Sequence, residues 1–259
     1  MEAFGQASLP HRALLLSQSQ QGANFAFTAV PSLHHGAMHP TTFITALQRR
    51  LRLPLSVLVG VNGLADPYGD DLLSRPRLLH LRTGPWHDAI LHVVARMCRM
   101  AGHYVSMDCR RPRAVSAAYS PLYCPDASLP HAAPNGAHVL IDVTTAGVTT
   151  RSALPSSAQI VGAAASSAEG TKRGLYGDVS PNVLVPFAVE EGGALGQEAM
   201  KLLKQCKKKC RNNIVAINEA ELNWSNRGFS NWSLQSVSLA NVKGIGHFLT
   251  TAAAILRST

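Results

Sequence analysis

The stretch Pro125-Asp126-Ala127-Ser128-Leu129, which turns at Pro134-Asn135-Gly136 and returns as His138-Val139-Leu140-Ile141-Asp142-Val143-Thr144-Thr145, decides the fold. Two strand-like pieces flank a turn tripeptide, so the segment reads as a loose hairpin. One carboxylate stands in the first strand-like piece, 122–129, and the other in the second, 138–145, 142 minus 126, or 16, positions on. Paired strands bring Asp126 and Asp142 side by side. Two like charges about 4 Å apart repel by about 4 kcal/mol at an effective dielectric near 20, and a divalent cation turns that repulsion into attraction. The pair therefore points to a metal site for cutting a phosphodiester, with magnesium, or manganese, held by Asp126 and Asp142. Each position has a plainer alternative: Asp126 after a proline is an ordinary turn residue, and Asp142 in an apolar strand needs only some partner or a solvent-facing edge.

Such a centre also needs a cation. On strand alternation Asp142 and Thr144 share a face, so a lysine two residues after Asp142 would serve, and Thr144 stands there instead. The nearest downstream candidate is Lys172, in a helix read over 158–176, with Tyr176 four residues on and therefore on the same helical face. Arg173 is a competing cation, and Lys172 is equally readable as a solvated helix lysine. The apolar run 183–189 suits a sheet interior, weakened by Pro186, and Glu190 at its end either orients the site, binds a second metal, or is a helix-capping or surface acid. Upstream, 86–101 reads as an amphipathic helix with Ile90, Val93, Val94, Met97 and Met100 on one stripe and Gly102 as its cap. His87 in its first turn either contacts DNA or caps and packs. The expected architecture is α/β: a mixed central sheet flanked by the helices near 86–101, 158–176 and 194–209.

Around that core, residues 1–80 read as a basic, loosely structured N-terminal segment, 81–210 as the core and 211–259 as a helical extension. A helix starting at Thr41 or Thr42 places Phe43, Leu47 and Leu51 on one face and Arg49, Arg50 and Arg52 on the other. That arginine face either meets phosphates or is simply solvated. From 57 to 82, scattered Gly and Pro indicate a loop or small knuckle. The last helix, 234–256, is interrupted by Gly244 and Gly246.

With 46% apolar and only 15% charged residues, the chain has a globular rather than a disordered composition. Its 24 Lys and Arg against 15 Asp and Glu leave a net charge of +9, which favours an anionic partner such as nucleic acid. Arg110, Arg111 and the run Lys207-Lys208-Lys209 join Arg49, Arg50 and Arg52 as candidate phosphate contacts. Five cysteines without a C-x-x-C pair suggest reduced thiols, and the absence of about 18 consecutive apolar residues predicts a soluble intracellular chain with no membrane partner.

Pro125-Asp126, then Asp142, then Lys172 and Tyr176, resembles the PD-(D/E)XK or restriction-like endonuclease at the C-terminal end of some non-LTR retrotransposon polyproteins, where the lysine has likewise moved onto the helix. Ala65-Asp66-Pro67-Tyr68-Gly69-Asp70, His87-Asp88-Ala89 and the segment from Pro186 to Gly196 are similar to the region downstream of the reverse transcriptase in such elements, so the resemblance spans roughly Leu14 to Lys209. It implies a restriction-endonuclease-like core that nicks DNA, supplying a 3′-hydroxyl for target-primed reverse transcription. DNA is the implied partner, element RNA a further one, and the nucleus the implied place of action. Relatives carry a Cys and His zinc knuckle before the helix; here Val59, Val61, Asp71 and Arg75 stand at the ligand places, a degenerate knuckle for which no zinc is expected. The stretch ahead of the core is too short for a polymerase, so the chain reads as a tail of such an element or a host or viral gene derived from one. That departure also keeps open a second function, a catalytically inactive remnant that only binds nucleic acid.

Overall fold

The structure, a computed structural model, describes residues 7–29, 37–61, 64, 66–107, 124–212 and 228–258. Along the chain run α1 (Leu9–Ser19), α2 (Pro40–Arg50), α3 (Asp70–Ser74), α4 (His87–Met100), β1 (Ala127–Leu129), β2 (Val139–Ala146), α5 (Leu154–Ser157), α6 (Ala163–Tyr176), β3 (Val183–Glu190), α7 (Gln197–Asn212) and α8 (Phe229–Arg257). Short helical turns fill 76–86 between α3 and α4.

The hairpin expected from the sequence forms. β1 pairs antiparallel with β2 around a turn in which Gly136 adopts φ 77° and Asn135 Oδ1 accepts from Ala137 N–H. β2 then pairs in parallel with β3, and the crossover that parallel strands require is supplied by α5 and α6. The chain is thus mixed α/β with a small three-stranded mixed sheet, ordered β1-β2-β3. The expected strand near 103–107 shrinks to one bridge, Ser106 to Ser128.

The expected interior strand is an edge strand, and its proline explains how. Val183 N–H bonds to His138 O and Glu191 N–H to Ala146 O, so odd-numbered residues donate toward β2. Pro186, opposite Asp142, is even-numbered, and its nitrogen faces away from that ladder, where no hydrogen bond is forfeited. One sheet face carries Ile141, Val143, Val185 and Phe187 into a core with Ile90 and Val94 of α4, Leu202 of α7 and Phe248 of α8. The other face, with Asp142, turns toward α6.

The expected division into three segments gives way to one core. Leu55, Leu58 and Leu72 from before residue 81, and Trp232, Ile245 and Phe248 from after residue 210, belong to the same buried cluster as the sheet. The last helix runs through Gly244 and Gly246 instead of breaking there. A Cβ on Gly244 would lie 2.1 Å from Trp86 Cδ1, and one on Gly246 2.5 Å from Thr42 O, so both glycines serve close approach. α8 is long and apolar enough, at mean hydropathy 1.2, to cross a membrane by length and composition, although 56% of its most apolar window is buried inside the protein.

The largest correction concerns α2, whose faces are inverted. Thr45, Ala46 and Arg49 are buried, while Phe43, Ile44 and Leu51 are exposed. Arg49 is drawn inward by two acids: Nη1 bonds Asp70 Oδ1 at 2.5 Å and Nη2 bonds Glu191 Oε2 at 2.8 Å. Arg52 pairs with the same Asp70 and lies over the Tyr68 ring. Arg50 lies over Phe27, with Nη1 donating to Gly192 O, and burial lowers its pKa to about 10. The three arginines expected to meet phosphates are therefore engaged within the protein. Arg110 and Arg111 lie outside the described residues.

Candidate active site

Register brings the two aspartates together. Ala127 faces Ile141 and Ser128 faces Leu140, so one further rung sets Asp126 opposite Asp142. Directly opposed residues in an antiparallel pair are about 5 Å apart. Asp126 lies just outside β1, and its side chain continues the ladder where the main chain stops: Oδ2 accepts from Val143 N–H over 2.7 Å. The same oxygen meets His87 Nε2 at 3.0 Å, while His87 Nδ1 meets Asp88 Oδ1 at 3.0 Å. Burial works against the imidazolium, yet Asp126 and Asp88 outweigh it and hold the His87 pKa at about 9.

Asp142 receives its partner from α6. Lys172 Nζ is 2.7 Å from Asp142 Oδ1, and Tyr176, one turn further along the same face, also hydrogen-bonds this carboxylate. Burial pushes the Asp142 carboxyl above its ordinary range, opposed by the bonds from Lys172 and Tyr176 and reinforced by the charge of Asp126. The Tyr176 phenol is held well above its ordinary range by burial and by Asp142. It is therefore a hydrogen-bond donor at neutral pH.

Asp126, Asp142, Lys172, Tyr176 and His87 line one cleft of about 460 Å³. Four of the five residues expected in the catalytic centre thus converge, and His87, foreseen as a DNA contact or a cap, joins them as the partner of Asp126. Glu190 does not. It lies four rungs along β3 from the residue opposite Asp142, where its Oε1 accepts from Ala164 N–H at 2.9 Å and Ala165 N–H at 3.1 Å. The carboxylate caps the start of α6, the helix that carries Lys172. Of the three roles left open for Glu190, the cap is the one its contacts describe.

The cleft also contains Arg82, Thr144 and Thr145. Thr144 was placed beside Asp142 by strand alternation, but Arg82 lies in the Gly- and Pro-broken stretch read as a loop and carried no signal. The degenerate knuckle positions contribute nothing here: Val59 is exposed and Val61 belongs to the core. No Tyr-x-Asp-Asp phrase of reverse transcriptases was expected in this chain, yet Tyr68-Gly69-Asp70-Asp71 spells one. In this fold it opens α3, with Asp70 bound by Arg49 and Arg52 and Asp71 N–H donating to Asp66 Oδ2, so the phrase serves structure.

The donor set suits a hard cation with few protein ligands. No group of three His, Cys, Asp or Glu side chains placed to hold a metal occurs among the described residues. A cation would rest on Asp126 and Asp142 and complete its shell with water and substrate oxygen, as magnesium commonly does. Lys172 pairs with Asp142 and His87 with Asp126. Comparison with protein-family models, curated proteins and solved structures finds no match.

Proposed function

We propose that the cleft is the centre of a metal-dependent DNA endonuclease that nicks one strand, built on a restriction-endonuclease-like core. The observation that carries this reading is the convergence of Asp126, Asp142, Lys172 and Tyr176 in one cleft, just before β1, on β2 and on the crossover helix α6. Asp126 and Asp142 would hold magnesium or manganese, which when bound supplies positive charge to the phosphate and acidifies water. Lys172 carries its ammonium to the same carboxylate, within reach of a water attacking beside Asp142. Tyr176 donates to Asp142 and orients it. The resemblance adds the biological step: a nick whose 3′-hydroxyl primes reverse transcription, with DNA as partner, element RNA as a further one, and action in the nucleus.

Nicking of supercoiled plasmid with magnesium, manganese or chelator tests the reading. The parent should nick with either metal and stop in chelator, while Asp142→Ala should lose nicking by about 10²-fold or more. Equal rates for parent and Asp142→Ala remove the catalytic reading. A second reading, a nucleic-acid-binding remnant without catalysis, is favoured by Lys204, Lys207 and Lys208, all exposed on α7. It predicts strongly salt-dependent DNA binding with no cleavage.

A further inference from the structure

Arg82 is a half-buried cation that forms no salt bridge among the described residues. Its Nη1 donates to Leu73 O at 3.2 Å and its Nη2 to Thr145 O at 2.5 Å. Both partners are neutral carbonyls. Burial lowers the guanidinium below the ordinary arginine range, with only the more distant charge of Glu191 opposing it. A guanidinium has five N–H donors in a planar fork, so two carbonyl contacts fix its plane and leave the remaining donors for a ligand. The other charges of the cleft are balanced, Lys172 against Asp142 and His87 against Asp126. Arg82 is the surplus positive charge of the cleft it lines.

The chain between Arg82 and His87 is irregular. It kinks at Gly84 (φ −105°, ψ −106°), and His87 N–H reaches back to Arg82 O. Residues five apart in an ordinary α-helix diverge by about 140°. Across this kink Arg82 and His87 both line the cleft.

We propose that Arg82 is the phosphate-gripping residue of this cleft, its free N–H edge receiving a non-bridging oxygen of the phosphodiester strand that lies over Asp126 and Asp142. This rests on the nuclease reading for the identity of the strand, whereas the anion seat itself does not. Bidentate recognition of a phosphate is the task for which a fixed arginine fork is suited.

The test uses the full chain and two variants, Arg82→Gln, which removes the charge, and Arg82→Lys, which keeps it without the fork. Binding of a short fluorescein-labelled DNA duplex is measured in calcium across a potassium chloride series, beside the thermal shift produced by thymidine 3′,5′-bisphosphate. Arg82→Gln should weaken duplex binding by about 10-fold, lower the salt slope by about one phosphate contact and abolish the bisphosphate shift, whereas Arg82→Lys should keep the slope and fall between Arg82→Gln and the parent in affinity and shift. Melting without ligand shows whether each variant folds, and the affinity and bisphosphate shift of Arg82→Lys decide should Arg82→Gln not fold. Arg82→Gln with the parent's slope and shift, or Arg82→Lys with the parent's affinity and shift, overturns the proposal. If the parent nicks plasmid but Arg82 variants bind as it does, the Arg82 assignment falls and the nuclease reading stands. If the bisphosphate shift depends on Arg82 and nothing is nicked, the reverse holds. A parent that neither binds nor shifts overturns both.

Discussion

Two clusters of opposed charge lie in this molecule, and they are built to different ends. In the first, Arg49 donates to Tyr68 O, Asp70, Thr149 Oγ1 and Glu191, and Glu191 Oε1 in turn accepts from Val148 N–H and Thr149 N–H. Arg49 and Glu191 side chains are 2% and 0% exposed. In the second, Lys172 (28% exposed) holds Asp142 (5%) and His87 (16%) holds Asp126 (23%), at the wall of a cleft. A buried ion repays its lost hydration only when its bonding capacity is nearly filled, as in the first cluster. The second leaves capacity open to a ligand. Charges that are close, perturbed and only partly satisfied in a cleft mark the place to look for chemistry.

Removing Arg49 should have the greatest effect on stability. Arg49→Met leaves Glu191 buried without its cation, and should cost about 3–5 kcal/mol in urea unfolding. Lys172→Met should behave in the opposite manner. Its loss should cost less than that of Arg49, about 1–2 kcal/mol, because Lys172 is partly exposed although it leaves the buried Asp142 with Tyr176 alone, yet should lower the plasmid nicking rate by about 10²-fold. A variant of Arg49 as stable as the parent, or of Lys172 as active, would erase the distinction between a structural and a functional cluster.

Glu190 lies between these extremes. It touches no part of the cleft, but it closes two N–H groups at the start of the helix whose far end presents Lys172 and Tyr176. Glu190→Ala should cost about 1–3 kcal/mol by leaving two buried donors unpaired. Its nicking rate should fall less than that of Lys172→Met, which a parallel measurement of melting and plasmid turnover resolves.

The hairpin, the crossover helix and the meeting of Asp126 with Asp142 were legible because they rest on local rules: a Pro-Asn-Gly turn, strand alternation and the i, i+4 spacing of Lys172 and Tyr176. The inverted face of α2 was not. Arg49 reads as solvated from its own helix, and the acids that draw it inward are 21 and 142 positions away along the chain. The same holds for Gly244 and Gly246, which look like helix breakers until Trp86 and Thr42 pack against them. Arg82 escaped for a third reason, since Gly84 and Pro85 beside it read as loop. Local chemistry shows in spacing; long-range pairing and irregular turns do not.

The smallest expected effect concerns the hinge between the two kinds of cluster, His87. Its folded pKa of about 9 lies above the ordinary 6.5, held there against burial by Asp126 and Asp88. A raised pKa means that the folded state binds the proton more tightly than the unfolded chain does. The resulting stabilisation is fully present below pH 6.5 and is lost as pH rises through about 9. After allowance for its partial exposure, a contribution on the order of 1 kcal/mol is expected. Melting curves of the parent and of His87→Gln between pH 6 and pH 10 should therefore show a gap at the acid end that closes near pH 9. A gap that is constant with pH would mean that His87 contributes by packing alone, and would return Asp126 to the cleft as a carboxylate without a cationic partner.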